Sequence, residues 1–209
     1  MHEPDTEELV RRAGAGDRSA VSRLLDRHRR RLRKMVAVRM DARMVARLDP
    51  SDVVQETLVE AVKKLPDYLR DRPLPFYAWL RQLAWNRLVD LHRQHVLAEQ
   101  RTIAKEVSLA TLLSGQSARY LASHLLAREN HPGSRIVRQE LIDRMREAIG
   151  RLPDSHREVL ILRHLEDLSV AEVAAILKTT KAAVTSRHFR ALVGLREIMD
   201  RESEGSAGP

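Results

Sequence analysis

The chain has 209 residues, enough for one large helical domain or two small ones, and its formal charge of +8 suits a polyanionic partner such as nucleic acid. It contains no cysteine, which excludes disulfides, thiol nucleophiles and cysteine-based zinc sites. The acidic start MHEPDTEELV lacks an apolar core and is not expected to be a signal peptide, and no run of about 18 apolar residues is present to insert into a membrane.

Helical periodicity runs through most of the chain and strand alternation is almost absent, so an all-α fold is expected. The spacing predicts a short first helix over Thr6–Arg12, stopped by Gly14-Ala-Gly16. A long basic helix follows over Ser19–Met40, burying Val21, Leu24, Leu25, Leu32, Met35 and Val36. From Arg18 to Arg47 eleven basic residues face only Asp26 and Asp41, so the positive charge is concentrated here.

The next helix has a clear start. Asp49 can cap it, Pro50 suits its first position and Asp52 favours its first turn. Val54, Leu58, Ala61, Val62 and Leu65 form the expected buried stripe, and Pro66 is expected to end the run. Between Asp49 and Glu60 lie four acids and no base, inside an otherwise basic chain. An acidic face with Gln55 suits docking on a locally basic protein, although an ordinary amphipathic surface helix has the same pattern.

A further helix is predicted over Leu74–His95. Five of the seven aromatic residues of the chain lie at Tyr68, Phe76, Tyr77, Trp79 and Trp85. Arg81, Asn86, Arg87 and Arg93 interleave with or follow them. Flat rings beside cations suit unstacked bases, each stack contributing about 1–3 kcal/mol. Two or three of the five rings are expected in the core, because Trp79, Leu80, Leu83 and Leu88 cannot all face solvent. His92 and His95 lack a third ligand at useful spacing, so no metal and no cofactor is expected.

Periodicity weakens from Leu97 to Ser134, which reads as a flexible linker with at most poorly anchored helices around Leu109–Arg128. Four helices are then predicted, over Arg135–Gly150, Ser155–Leu165, Val170–Leu177 and Lys181–Met199. Ser155/Glu158 and Ser169/Glu172 have capping-box spacing. The last two helices, joined by Lys178-Thr-Thr180, form a helix-turn-helix. Val173, Ala174, Ile176 and Leu177 supply the inner face of its first helix, and Ala183, Val184, Leu192 and Leu195 that of its second. Lys181, Thr185, Ser186, Arg187 and Arg190 sit near the start of the second helix, where a recognition helix contacts phosphates and base edges. Lys178 stands where a left-handed turn favours glycine, at a cost of about 1 kcal/mol. The expected organisation is thus two small helical domains, 1–96 and 135–201, a linker at 97–134 and a disordered polar tail at 202–209.

Four motifs in order resemble those of one family, the bacterial RNA polymerase sigma factors of extracytoplasmic-function (ECF) type. Asp49–Glu56 resembles the motif that binds core polymerase, and Phe76–Asp90 the helix that melts and reads the −10 element. Leu152–Leu160 and Ser169–Ala174 resemble the start of the fourth conserved region, and Val184–Ala191 the −35-reading helix. The match covers about residues 8–95 and 135–197. It departs from the family at Lys178, at Thr185, where lysine is common, and in a longer linker. The resemblance implies an initiation factor of the bacterial cytoplasm with no catalysis of its own. Asp49, Asp52, Val53, Gln55 and Glu56 would bind core polymerase at the clamp helices of the largest subunit, with the flap as a second contact. Tyr77, Trp79, Arg81, Trp85, Asn86, Arg87 and Arg93 would act on the −10 element. Lys181, Thr185, Ser186, Arg187 and Arg190 would grip the −35 duplex. Promoter DNA is the implied nucleic acid, and an anti-sigma protein is a further candidate partner. The rival, a conventional helix-turn-helix regulator that binds duplex DNA alone, leaves the acidic motif and the aromatic cluster unexplained. A nuclease or recombinase would need a catalytic cluster, and the offsets of Asp49, Asp52 and Glu56 suit a surface stripe instead.

Overall fold

The computed structural model describes residues 5–40, 42–95, 115–127 and 135–205, and every regular element among them is helical. The chain divides into two compact units, Met1–Ala104 and Lys105–Pro209.

The first unit begins with α1 (Thr6–Gly14), which Asp5 caps by accepting a bond from the Glu8 amide at 2.8 Å. Gly16, at φ 87°, turns the chain in the left-handed region that glycine tolerates. Asp17 then caps α2 (Arg18–Arg39) through the Ala20 amide and ion-pairs with Arg12 at 2.6 Å, tying the two helices at the turn. After the short α3 (Ala42–Val45), Asp49 caps α4 (Pro50–Asp71), with Pro50 in the first turn as expected. The helix α5 (Phe76–His95) completes the unit.

The core gathers one face of each long helix. Leu24, Leu32, Met35 and Val36 of α2 meet Val54, Leu58, Ala61 and Leu65 of α4 and Leu80, Ala84 and Leu88 of α5. Each such leucine contributes about 1.5–3 kcal/mol by leaving water. Val21 is only partly buried.

Two expectations for α4 are corrected. The helix does not end at Pro66 but runs to Asp71, where Arg72 closes it in a left-handed conformation. A proline in a helix interior removes a backbone bond and costs about 3 kcal/mol. Leu65 and Tyr68, buried on either side of it, hold the chain helical. Tyr68 stacks on Trp79 at 4.5 Å, meets Phe76 edge-on at 5.5 Å and donates its hydroxyl to the Leu74 carbonyl at 3.0 Å. Val62, expected in the core, is exposed.

The second unit contains α6 (Gly115–Ala127), α7 (Arg135–Arg151), α8 (Asp154–Leu160), a π-helical turn over Ile161–Leu165, α9 (Val170–Ile176) and α10 (Lys181–Gly205). The helix α6 falls in the segment read as a weakly structured linker, yet it is well anchored. Leu121, Ala122, Leu125 and Leu126 are buried, and the helix packs on α7 and the π-helical turn. The remainder of that segment, 97–114 and 128–134, lies outside the described residues. The last helix continues past Met199 to Gly205, through residues expected to form a tail.

The Ser155/Glu158 capping box does not form. The helix α8 starts one residue earlier, without a side-chain cap at Pro153, and Glu158 is buried. Arg157 joins α7 to α8 instead, donating to the carbonyls of Gly150 and Leu152 and to the Asp154 carboxylate at 3.0–3.2 Å. The second box is intact: Ser169 Oγ accepts from the Glu172 amide at 3.2 Å, and the Glu172 carboxylate accepts from the Ser169 amide at 2.8 Å.

The turn after α9 bears out the reading of Lys178, which has φ 49°. The Thr179 amide reaches back to the Ala174 carbonyl at 2.9 Å, and Thr180 then caps α10 through the Ala183 amide at 3.1 Å. Val173, Ala174, Val184, Ala191 and Leu195 are buried between the two helices and their neighbours. Ile176, Leu177 and Ala183 are half-buried, and Leu192, expected inside, is exposed.

Opposite effects are expected at the two ends of α9. Ser169→Ala should destabilise the second unit by about 1 kcal/mol through loss of the cap. Lys178→Gly should stabilise it by up to about 1 kcal/mol by relieving the left-handed backbone. Hydrogen exchange of the α9 amides in the full chain reads both, and changes of the same sign would contradict the assignment.

Candidate nucleic-acid and partner interfaces

The start of α4 carries the acidic motif. Asp49 is exposed and accepts from the Ser51 amide at 2.6 Å, while Arg33 of α2 donates Nε–H to the Ser51 hydroxyl at 2.9 Å. The Ser51 amide, then the Ser51 hydroxyl and the nearby Arg33 charge, hold the Asp49 carboxyl below its ordinary range. Asp52, Gln55 and Glu56 are all exposed, three and four residues apart on one face. Val53 is not part of that face. It is buried in the core, where it supports the helix from beneath.

Sequence reasoning missed two members of this stripe. Val59 and Val62, 56% and 50% exposed, continue the three- and four-residue spacing from Asp52 and Glu56. The signal was available as two valines in register with the acids, but Val62 also fits the adjacent buried stripe. The result is an apolar strip continuing from an acidic end, the composition of a protein-contacting rather than a phosphate-contacting surface.

The aromatic set of α5 divides between core and surface. Phe76 and Tyr77 are buried, like Tyr68 of α4. His28 of α2 lies against both rings at 5.5 and 5.6 Å, and the Arg31 guanidinium covers Tyr77 at 4.0 Å. Arg81 is also buried. Tyr77 and Arg81 therefore shape the helix from inside and are not on the face it presents. Trp79 and Trp85 are half-buried: Tyr68 covers one face of Trp79, and the wholly buried Arg39 lies 5.7 Å from the Trp85 ring. Trp79, Asn86 and Arg93 recur at seven-residue spacing and share a face of α5, with Asn86 and Arg93 exposed.

The two sets of candidate residues in this unit touch. Arg87 of α5 donates to the Glu56 carboxylate of α4 at 2.6 Å. A pair this exposed adds at most about 1 kcal/mol to stability.

On α10, Lys181, Thr185, Ser186 and Arg190 are exposed and Arg187 is half-buried on their flank. Thr185 donates its hydroxyl to the Lys181 carbonyl at 3.1 Å, and Arg190 donates to the Ser186 hydroxyl at 3.0 Å. These bonds within the helix fix side chains that would otherwise be mobile. Phe189, 67% exposed, stands among them and was not anticipated. With Leu152, Pro153, His156, Val193 and Ile198 it lines a shallow groove between the α8 start and α10.

Residues 24–96 match the family model for sigma-70 region 2, and residues 142–194 that for sigma-70 region 4. The chain is 30% identical over 192 residues to the ECF RNA polymerase sigma factor SigD of Mycobacterium tuberculosis, covering 90% of this chain and 81% of that protein. It is 29% identical over 198 residues to the RNA polymerase sigma factor CnrH of Cupriavidus metallidurans, covering 94% and 95%. The solved structure of CnrH in complex with the cytosolic domain of CnrY aligns with a TM-score of 0.53 at 24% identity, over 94% of this chain and 99% of that one, a likeness of fold.

The Asp49 cap has a measurable signature. A carboxyl whose pKa is depressed by folding adds stability above its unfolded value, about 3.9, and loses it as the pH falls through the folded value. A carboxyl NMR titration should place the Asp49 midpoint below that value, and Arg33→Ala or Ser51→Ala should each raise it. A midpoint at or above the unfolded value would mean that the cap is not formed.

Proposed function

Because the chain belongs to the ECF group of the sigma-70 family, and so directs transcription initiation by RNA polymerase, we propose that three surfaces divide this work. The first is the exposed face of α4, with Asp49, Asp52, Gln55 and Glu56 at its acidic end and Val59 and Val62 as an apolar strip. It docks on the clamp helices of the largest polymerase subunit. Val53 holds this face from the core. The single observation that carries the reading is the placement of exposed valines in register with those acids. Such a surface would repel phosphate and gains by leaving water against a basic, partly apolar protein partner.

The second surface is the exposed side of α5. Trp79 and Trp85 offer part of their rings, Asn86 offers donors and an acceptor, and Arg87 and Arg93 offer charge to an unstacked strand. Tyr77 and Arg81 keep that helix in place from the core. The third surface is the start of α10, where Lys181, Thr185, Ser186, Arg187 and Arg190 enter the −35 major groove. Residues 1–96 and 135–201 carry the two sets of contacts, and the flap is the polymerase contact of the second. A regulator acting without polymerase would have no use for the acid-and-valine strip of α4.

No catalytic step is assigned to the chain, and its site of action is the bacterial cytoplasm. No helix among the described residues is long and apolar enough to cross a membrane. CnrH forms a complex with the cytosolic domain of CnrY, and an anti-sigma partner of that kind is proposed for this chain too.

Purified core polymerase, this chain and cognate promoter fragments provide the test. The chain should stimulate specific initiation. Asp52→Ala should weaken core binding, and Val62→Asp should weaken it by about tenfold or more. Arg187→Ala should cost about 1–3 kcal/mol in promoter affinity, confined to the −35 element, with core binding unchanged. Equal effects of the α4 and α10 changes on both assays would refute this division.

A further inference from the structure

A line of rings crosses the second unit from α6 to the reading helix. Tyr120 and His124 of α6 have ring centroids 6.4 Å apart, His124 lies 6.1 Å from His164, and His164 meets His188 of α10 end to end, with centroids 5.1 Å apart and an interplanar angle of 26°. At the inner end the two Nε2 atoms are 2.8 Å apart, a hydrogen-bond distance. One ring must then donate its Nε2–H while the other accepts with a bare Nε2.

The placement of these two histidines is specific. His164 is buried and belongs to the π-helical turn Ile161–Leu165, which the Glu166 amide closes on the Ile161 carbonyl at 3.0 Å. Interruptions of this kind re-aim side chains and recur at functional positions. His188 is half-buried and lies directly after Arg187 and two residues before Arg190. Apolar contacts through Val184, Ala191 and Leu195 press α10 onto the unit and choose its buried face, but, being non-directional, they do not pin the fine setting of its rotation. A directional N–H···N bond at the level of the reading side chains does.

We propose that His164 is a positioning residue for promoter reading: through its hydrogen bond to His188 it sets the rotation of α10, and hence the direction in which Arg187 and Arg190 enter the groove. This rests on the assignment of the α10 start to the −35 element. His164 itself touches no DNA in this arrangement, and His124 lies beside its ring, with centroids 6.1 Å apart.

The experiment uses holoenzyme assembled from the full chain and core polymerase, on a cognate promoter and on the same fragment with a scrambled −35 element. His164→Leu keeps apolar bulk and removes the bond. It should lower affinity for the cognate promoter by about three- to tenfold, the range expected for one net hydrogen bond. The loss should vanish on the scrambled fragment. His164→Gln places a donor or acceptor near the same point and should restore affinity to within about twofold. In a His188→Leu background, His164→Leu should cost nothing further. Unchanged affinity for His164→Leu, equal loss on both fragments, no rescue by glutamine, or additive losses in the double variant would each overturn the proposal. Arg187→Ala, run in parallel, separates the two levels. If it leaves discrimination against the scrambled fragment intact, the assignment of α10 fails; if it removes discrimination while His164→Leu does not reduce it, only the positioning role fails.

Discussion

The contact of Tyr68 with Trp79 governs most of what the first unit displays. Those rings, with Phe76 edge-on, join the end of α4 to the start of α5 across the sharp turn at Arg72. They stabilise the last turn of a helix that proline would otherwise end, and they fix how α5 lies against α4. Once that angle is set, the outward sides of both helices follow from helical geometry. The acids and valines of α4 face one way, and Asn86 and Arg93 of α5 belong to a different face. The rings, with the core packed between the two helices and the Glu56–Arg87 bond, fix the relation of the two faces.

Local signals in the sequence were the most legible. The caps at Asp49 and Ser169, the first-turn Pro50, the glycine turn before α2 and the strained Lys178 all act through neighbouring atoms, so their residue types alone suffice. Signals that depend on distant partners read less well. Pro66 looked like a helix end because its lost bond is local, while the compensating rings lie on the next helix. Ser155 looked like a cap because the competing Arg157 bonds reach back into α7. The composition of α6 suggested a linker because much of its anchorage comes from α7 and the π-helical turn, which its own periodicity does not reveal.

The candidate surfaces follow the same rule. Residue type located them, but burial decided their membership. Tyr77 and Arg81 have the chemistry of nucleic-acid contacts but are buried, and Arg31 and His28 of α2 lie against the Tyr77 ring that a base would need. Val59 and Val62 have the chemistry of core residues and stand in solvent. A helix with apolar residues on two adjacent stripes gives no indication, from periodicity alone, of which stripe the rest of the fold will cover. The histidines of the second unit carry no sequence signal at all, since residues 124, 164 and 188 come together only through the packing of three separate elements.

The bond between Glu56 and Arg87 has a thermodynamic consequence. One carboxylate and one guanidinium, 31 positions apart, satisfy each other on the surface of the free protein. A cationic group on a protein partner that captures Glu56 sets Arg87 free, and a phosphate that captures Arg87 exposes Glu56. Each event would spare the other the cost of breaking the ion pair, at most about 1 kcal/mol for a pair this exposed, so two such associations would be linked by a free energy that acts equally in both directions. Whichever ligand arrived first, the broken ion pair would make the second easier to hold.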